Sequence, residues 1–245
     1  MPLAPPNPED VHVWQVSLDV EDDELRALTS VLSADERERT SRFVRPRDAS
    51  RSAAAHGHLR QLLGHYLDRP AAEVALGVGP HGKPFVSATG AGWLRFNMSH
   101  SGDRGLIAIA NGREVGVDVE QFQPELPDPE LGKLFAPAEQ RALSALTAGD
   151  YIDQYFTLWT RKEAVVKGLG VGLLVPLDGV DVLNDRVRLT ADLARNLPPV
   201  STSTWNVRSL RQGENYFAAV AVQAPAAATS RQAYSHFPHR SERTR

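Results

Sequence analysis

Apolar and polar positions alternate along several short segments of the chain, and this period-two pattern predicts β-strands. The predicted strands cover residues 11–16, 85–86, 94–98, 106–110, 115–119, 179–183, 186–189, 204–209 and 216–222. Asn111-Gly112 lies between two of these strands and is typical of a tight hairpin turn.

Helical segments are interleaved with these strands. They are predicted at residues 22–32, 53–67, 136–146 and 151–167, and Ser33 with Glu36 has the form of a capping box that opens a further helix. The alternation of helices and strands predicts an α/β (α+β) fold whose two halves meet near residues 111–115. Residues from 224 onward are rich in Ala, Ser and Arg, which predicts a disordered basic tail.

Composition narrows the possible classes of protein. The 245 residues suffice for one large or two small domains, and the net charge of −3 gives no general attraction to nucleic acid or anionic membranes. Because the chain has no cysteine, disulfide scaffolds, thiolate zinc sites and cysteine nucleophiles are excluded. Met1 to Asp10 lack the apolar segment of a signal peptide, and no apolar run reaches the roughly 20 residues of a membrane helix. We therefore expect a soluble cytoplasmic protein.

Two carboxylates lie on one face of the predicted strand 115–119 and its continuation. Strand side chains alternate between faces, so Asp118 and Glu120 point one way and the neighbouring valines the other. Adjacent carboxylates repel each other, and in a partly buried position they need a cation, for which Mg²⁺ is a suitable hard ion. The alternative is a solvated outer face of an amphipathic strand.

The predicted helix 151–167 carries a third carboxylate. Ile152, Phe156 and Trp159 form an apolar stripe that Glu163 extends, and Lys167 follows one turn later. An inward carboxylate needs a partner, which favours a functional role. The alternative is an ordinary surface pair between Glu163 and Lys167.

Small polar side chains follow the predicted strand 94–98. Ser99 and His100 could grip a phosphate, or the segment could be a polar turn. A Ser–His hydrolase is disfavoured because neighbours on an extended chain point apart and no Gly-x-Ser-x-Gly is present. The arginines between Arg37 and Arg51 fit either a solvated helix face or a grip on phosphates.

In their order and spacing, these segments resemble the Sfp-type 4′-phosphopantetheinyl transferases, in the subgroup with Ala after the Glu of the helical motif. The matching segments are Gly82-Lys83-Pro84, Phe96-Asn97-Met98-Ser99-His100-Ser101, Gly116-Val117-Asp118-Val119-Glu120 and Trp159-Thr160-Arg161-Lys162-Glu163-Ala164-Val165-Val166-Lys167. The resemblance spans residues 33–177 and implies two pseudo-twofold-related α/β halves in one chain. Residues 1–112 would bind coenzyme A, residues 113–223 would carry the metal and the catalytic groups, and the tail 224–245 lies outside the resemblance.

The resemblance also implies residue roles. The implied sites are Arg51, Lys83, Pro84, Ser99, His100 and Lys167 for coenzyme A; Asp118, Glu120 and Glu163 for Mg²⁺ or Mn²⁺; and Glu163 and Lys167 for catalysis. Arg51 would contact the 3′-phosphate, and Lys167 the pyrophosphate. Glu139 matches a further acidic position of the family. Glu36 stands where some relatives carry a basic coenzyme contact, for which Arg37 or Arg39 would substitute.

The implied reaction moves the 4′-phosphopantetheine group of coenzyme A to a serine of an apo acyl- or peptidyl-carrier protein and releases adenosine 3′,5′-bisphosphate. Residues 121–128 and the helix near Phe135 would contact the carrier, which we expect to belong to peptide or polyketide synthesis. We expect a monomer that binds neither nucleic acid nor membranes. The alternatives are a non-catalytic coenzyme A-binding protein, disfavoured because the acids and Lys167 are all present, and a nucleic-acid-binding module, disfavoured by the net charge.

Overall fold

The computed structural model describes residues 2–122, 129–172, 175–197, 204–211, 213, 215–224 and 233–236. The helices are α1 (Asp22–Ser30), α2 (Ala34–Ser41), α3 (Pro46–Leu67), α4 (Pro137–Ser144), α5 (Ala148–Leu169) and α6 (Ala191–Asn196), with short 3-10 helices at Ala71–Glu73, Pro129–Leu134 and Leu177–Gly179. The strands are β1 (Val11–Ser17), β2 (Leu76–Val78), β3 (Pro84–Val86), β4 (Leu94–Ser101), β5 (Arg104–Asn111), β6 (Val115–Gln121), β7 (Val180–Asp181), β8 (Arg188–Leu189), β9 (Trp205–Arg211), β10 (Tyr216–Gln223) and β11 (Ala233–His236).

In the first half, α3 packs against a sheet of order β11-β1-β5-β4, to which the C-terminal segment contributes β11. β1, β5 and β4 pair antiparallel, and β11 lies parallel to β1. The helix begins with Pro46 in its first turn, where a missing N–H is not needed, and it ends at Asp68 in the left-handed conformation. Its apolar face packs on Trp14 and Ile107 in a buried core.

The second half repeats this arrangement with α5 against the antiparallel sheet β6-β10-β9. Leu158 and Val165 of α5 share a buried core with Trp205 and Val207 of β9. Gly170, in the left-handed conformation, follows the helix as its C-cap, and its N–H bonds to the Val166 carbonyl.

A third core joins the halves, because the outer faces of the two sheets pack on each other. Leu106 and Ala108 of β5 meet Val117 of β6 and Val220 of β10 in this core. The next residue of β5, Ile107, points instead to the α3 side. The period of two therefore divides β5 between two apolar environments, which explains why almost all of the strand is buried.

The predicted two-half α/β architecture is confirmed, and several details differ from the predictions, among them the unpredicted strand β2. The third helix begins at Pro46 rather than residue 53, so that Arg47 and Arg51 lie on a helix. The short helix α6 was not predicted, although Thr190 accepts the N–H of Leu193 as a regular N-cap.

Residues Ala233–His236 form β11 on the open edge of β1, where the sequence predicted disorder. The remainder of the tail beyond residue 224 and residues 123–128 of the expected carrier loop lie outside the described residues. None of the described helices is long and apolar enough to cross a membrane.

Candidate active site

The two sheets meet edge to edge along β4 and β6, where side chains rather than a backbone ladder join them. Asn97, Ser99 and Ser101 alternate along β4 and therefore point to one side. Asn97 Oδ1 accepts the N–H of Val117 at 2.9 Å, and Ser101 Oγ donates to Glu120 Oε2 at 3.0 Å. We call this row of contacts between β4 and β6 the seam.

Asp118 lies at the centre of the seam and is only 1% exposed, which excludes the solvated strand face. Its Oδ1 accepts hydrogen bonds from Ser99 Oγ at 2.9 Å and Lys167 Nζ at 2.6 Å. Its Oδ2 is buried and has no hydrogen-bond partner among the described residues. An unsatisfied buried carboxylate oxygen is costly, so this atom marks a position where a donor or cation would fit.

Two glycines allow α5 to lie directly against β6. A Cβ atom at Gly116 would clash with the backbone of α5 at Gly168, so no side chain fits between the strand and the helix there. This close approach allows Lys167, next to Gly168, to contact Asp118 in the seam. Glu163, one turn earlier, is half-buried on the same side, as the apolar stripe predicted.

Lys167 turns toward the strands rather than toward its own helix. Its ammonium donates to Ser99 Oγ at 2.8 Å as well as to Asp118, and 31% of its side chain stays exposed. The alternative of an ordinary surface pair between Glu163 and Lys167 is therefore wrong, because the lysine forms its ion pair with the buried Asp118.

Negative charge exceeds positive charge around this point. Burial raises the pKa of Glu120, the charge of Asp118 raises it further, and Ser101 and Lys167 oppose the rise. Burial and Asp118 likewise raise the pKa of Glu163. Three carboxylates thus lie near the single ammonium of Lys167, and two of them, Glu120 and Glu163, ionise less readily than they would in water.

The residues fit a hard divalent cation. Within the described ranges, no group of three or more acids or histidines already converges on one point. The unsatisfied Asp118 Oδ2, the excess of carboxylates and the purely oxygen donors nevertheless suit Mg²⁺ or Mn²⁺. The assignment of Asp118, Glu120 and Glu163 as ligands of that cation stays a prediction.

His100 follows Ser99 at the end of β4, beside the turn that leads to β5. Although part of this residue is open to solvent, the protein around its imidazole lowers its pKa, and His56 and Lys167 lower it further. The ring therefore favours its neutral form at neutral pH, and an incoming anion would favour the charged form.

Arg51 is paired with an acid that the sequence did not single out. Its guanidinium donates Nε–H to Asp19 Oδ1 at 2.7 Å and Nη2–H to Asp19 Oδ2 at 2.8 Å. Arg47, one turn earlier on α3, donates to the same Oδ2 at 2.7 Å. These two arginines hold the pKa of Asp19 well below its usual range. Two arginines and one aspartate give this group of three side chains a net charge of +1.

Lys83, which the resemblance implies as a coenzyme A contact, has three hydrogen-bond partners within the protein. Its ammonium donates to Glu114 Oε2 at 2.7 Å, to the Val115 carbonyl at 3.2 Å and to the Gly168 carbonyl at 2.8 Å. Pro84, next along the chain, lines a cavity of about 550 Å³ that extends to the end of α5.

Glu36 is structural rather than coenzyme-facing. It closes the capping box of α2 by accepting the N–H of Ser33 at 2.8 Å, and it accepts Arg60 Nε–H at 2.5 Å, with both charged side chains 4% exposed. Arg37 donates to the carbonyl of Leu32, and Arg39 is exposed.

Glu139 also has a structural environment. It pairs with Lys162 at 2.6 Å in a position where both side chains are fully buried. Its two oxygens additionally accept the N–H groups of Ala136 and Val182, each at 2.7 Å. Lys162 lies within the helical motif, but it belongs to this core pair and not to the seam.

The sequence reasoning missed the contributions of Asn97, Ser101, Asp19 and Glu114. The first two had a detectable signal, because residues 97, 99 and 101 alternate and must share a face. Asp19 and Glu114 had none, since their partners lie far away in the sequence.

Comparison with known proteins gives consistent matches over both halves. Residues 15–111 match the family model described as 4′-phosphopantetheinyl transferase, N-terminal, and residues 114–221 match the 4′-phosphopantetheinyl transferase superfamily. The 4′-phosphopantetheinyl transferase HetI of Nostoc sp. is 33% identical over 225 residues, covering 89% of this chain and 91% of that protein.

Two further relatives come from Bacillus subtilis. One 4′-phosphopantetheinyl transferase is 29% identical, covering 73% of this chain and 79% of the relative, and Sfp of strain 168 is 27% identical, covering 73% and 78%. A solved chain titled Chronobacterium ammoniagenes ACPS-CoA complex covers 46% of this chain and 96% of its own length at 22% identity, with a TM-score of 0.37. The identity and coverage of the Nostoc relative, with matches to both halves, show that the chain belongs to the 4′-phosphopantetheinyl transferase family.

Proposed function

We propose that the protein transfers the 4′-phosphopantetheine group of coenzyme A to a serine of an apo acyl- or peptidyl-carrier protein, in a reaction that depends on Mg²⁺ or Mn²⁺. The observation that carries this proposal is the buried, unpartnered Oδ2 of Asp118 beside two further carboxylates and Lys167. Such a cluster suits a divalent cation bound together with a polyphosphate. The cation would neutralise the carboxylates and the phosphates, and the phosphate oxygens would complete its coordination.

Asp118, Glu120 and Glu163 are the residues that would hold the ion. When bound there, a divalent cation supplies charge neutralisation for the pyrophosphate of coenzyme A. Lys167 lies on Asp118 with part of its side chain exposed, so its ammonium can also reach a phosphate oxygen placed in the seam. We assign it to the pyrophosphate, where it would stabilise the charge that builds up on the leaving group.

The nucleotide end of coenzyme A is assigned to the first half of the chain. Arg51, supported by Arg47, would bind the 3′-phosphate, because the pair presents an excess positive charge on α3. Ser99 and His100 would face the phosphates, and Pro84 the nucleotide. In this division, residues 1–112 bind the coenzyme and residues 113–223 supply the acids.

The transfer step is a displacement at phosphorus. The carrier serine oxygen attacks the β-phosphorus, a bond forms between them, and the bond from that phosphorus to the bridging oxygen breaks. Adenosine 3′,5′-bisphosphate leaves with the bridging oxygen, and the serine proton passes to a base. Positioning and charge neutralisation contribute most of the rate enhancement in such reactions.

Glu163 is the candidate for that base, directly or through water, and also a candidate metal ligand. Its raised pKa makes it a better proton acceptor than an ordinary glutamate. Coordination of a cation would lower its basicity, so we rank the ligand role first.

Intact-mass spectrometry tests the proposal directly. Apo carrier proteins of the peptide, polyketide and fatty-acid types are incubated with the protein, coenzyme A and Mg²⁺, with and without a chelator. We expect a gain of one phosphopantetheine group on at least one carrier, lost on chelation and in Asp118→Asn. Asp23→Asn, which alters an exposed acid of α1, is the matched control and should keep full activity.

No mass gain on any carrier, with coenzyme A still bound, would contradict the proposed transfer. A gain that survives chelation would contradict only the metal assignment.

A further inference from the structure

Lys83 connects the first half of the chain to the C-terminal end of α5. It lies before β3 in the first half, and its ammonium reaches Glu114 and Val115 at the start of β6 and the carbonyl of Gly168 in α5. An ammonium has three N–H donors, and these three acceptors use all of them. Its side chain is only 17% exposed.

The contact with α5 falls at a point that favours a cation. The last carbonyls of a helix have no partner within the helix and carry its negative dipole end. Gly168 is one of these residues, and the ammonium of Lys83 satisfies its oxygen at 2.8 Å. The lysine stem also crosses the C-cap, since a Cβ atom at Gly170 would lie 3.0 Å from Lys83 Cδ.

Glu114 anchors the other side of this contact. Its Oε1 accepts Arg95 Nε–H at 2.8 Å while its Oε2 accepts Lys83, so both oxygens are fixed. Arg95 in turn donates to the Gly92 carbonyl at 2.6 Å. The carboxylate is therefore a rigid acceptor, and Lys83 cannot leave it without uncovering a half-buried charge.

We propose that Lys83 is a positioning residue, which holds the last turn of α5 in place and thereby keeps Lys167 on Asp118 and Ser99. Lys167 immediately precedes Gly168, so a movement of that carbonyl moves the adjacent residue as well. The inference rests on the proposed function, because it assigns Lys83 an effect on the reaction through Lys167 rather than through a phosphate.

Glu114→Gln separates this role from direct binding of coenzyme A. If Lys83 positions α5, removing its anchor should lower kcat in the same way as Lys83→Met. If Lys83 instead binds a phosphate of the coenzyme, removing the competing acid should leave the KM for coenzyme A unchanged or lower it. The positioning role therefore predicts a lower kcat for Glu114→Gln, whereas direct phosphate binding predicts no loss of kcat.

The kinetic experiment compares Lys83→Met, Lys83→Arg, Glu114→Gln and the double variant Lys83→Met/Glu114→Gln, with Arg26→Met on α1 as a distant control. We expect kcat to fall by up to about 100-fold in Lys83→Met, as for small misplacements of a reacting group, with less than about 3-fold change in the KM for coenzyme A. Lys83→Arg should recover part of the loss, and the double variant should be no worse than Lys83→Met. A KM increase for Lys83→Met without a kcat effect, or an unimpaired Glu114→Gln, would overturn the positioning role.

Amide hydrogen exchange provides a readout that does not depend on transfer. In Lys83→Met and Glu114→Gln, amides in the last turn of α5 should exchange several-fold faster, whereas α3 should be unaffected. Unchanged exchange at the end of α5 would sink the inference even if the protein proved to be an active transferase. Faster exchange in the two variants of a protein that shows no transfer activity would support the role of Lys83 in holding α5 and would contradict the proposed reaction.

Discussion

Two lysines of α5 form ion pairs with buried acids, and the pairs differ in how completely their hydrogen-bonding groups are satisfied. Lys162 pairs with Glu139, and Lys167 pairs with Asp118, each with a separation of 2.6 Å. In the first pair, both glutamate oxygens accept further backbone N–H groups, and Lys162 also donates to the carbonyl of Leu177 at 2.8 Å.

The second pair is incomplete. Asp118 keeps one buried oxygen without a partner in the described part of the chain, and Lys167 is partly exposed. Glu120 and Glu163 add negative charge beside it. The hydrogen-bonding groups of a completed pair are satisfied within the protein, whereas an incomplete pair retains the capacity to bind a ligand. This contrast separates Lys162, the structural lysine of the helical motif, from Lys167, the lysine that we propose to be functional.

The largest expected effect is on activity at the incomplete pair. Asp118→Asn should lower kcat by about 1,000-fold or more, because it removes the charge on which cation binding depends. The free energy of unfolding should stay close to that of the wild type or increase, since repulsion with Glu120 and Glu163 is relieved. Steady-state kinetics and urea denaturation measure the two quantities; a large loss of stability would mean that this pair, too, is structural.

Lys162→Met should show the opposite pattern. It leaves Glu139 buried without its counter-ion, which costs about 3–5 kcal/mol of unfolding free energy. The kcat of the molecules that remain folded should change little, because Lys162 lies outside the seam. Urea denaturation with activity normalised to the folded fraction tests this, and a stable but inactive variant would contradict it.

Replacing both members of the completed pair should recover much of that stability. In Lys162→Met/Glu139→Leu no uncompensated charge remains, so we expect an unfolding free energy within about 2 kcal/mol of the wild type. The remaining deficit comes from the two backbone N–H groups that lose Glu139 and from the carbonyls of Leu177 and Val180 that lose Lys162. A double variant as unstable as Lys162→Met would show that the backbone contacts, not the ion pair, dominate.

Adding Mg²⁺ should stabilise the fold through the incomplete pair alone. At about 100 times the dissociation constant, a ligand specific for the native state contributes about 2.7 kcal/mol. Burial raises the pKa of Glu120 and of Glu163 above 4.5 in the native state. Above pH 4.5 the metal-free native state therefore binds more protons than the unfolded state. Its stability falls as the pH rises from 4.5 through the raised pKa values. The Mg²⁺ effect should therefore grow with pH in thermal denaturation. Asp118→Asn should abolish it, and an undiminished shift there would place the ion elsewhere.

The smallest effect concerns His100, next to the incomplete pair. Its native pKa is lowered from 6.5, so the unfolded state binds more protons and stability falls as pH drops below about 6.5. His100→Gln should reduce this acid sensitivity. Binding of coenzyme A should draw a proton onto the imidazole of the wild type, visible as buffer-dependent heats in titration calorimetry near pH 6.5. Equal proton uptake by the variant would remove His100 from the anion site.

The sequence predicted the elements of the fold well, because strands such as β6 and helices such as α5 carry periods of two and about 3.6 residues. It also placed Asp118 and Glu163 on the correct faces. It could not distinguish Lys162 from Lys167 by pattern, since the distinction depends on whether the partner acid is saturated by distant backbone groups. The partners of Lys83 could not be predicted for a similar reason, because they are Glu114, Val115 and Gly168, which lie far from it in the sequence.

The contact between Gly116 and Gly168 has a consequence for tolerated variation in this chain. Neither residue has a side chain that could touch a reacting atom. A methyl group at Gly116 would nevertheless collide with the helix backbone, and one at Gly168 would meet the ring of Trp205 at 2.5 Å. In a map of substitutions compatible with activity, these two positions should be as restrictive as Asp118. Only a residue without a side chain lets α5 lie close enough to β6 for Lys167 to contact Asp118.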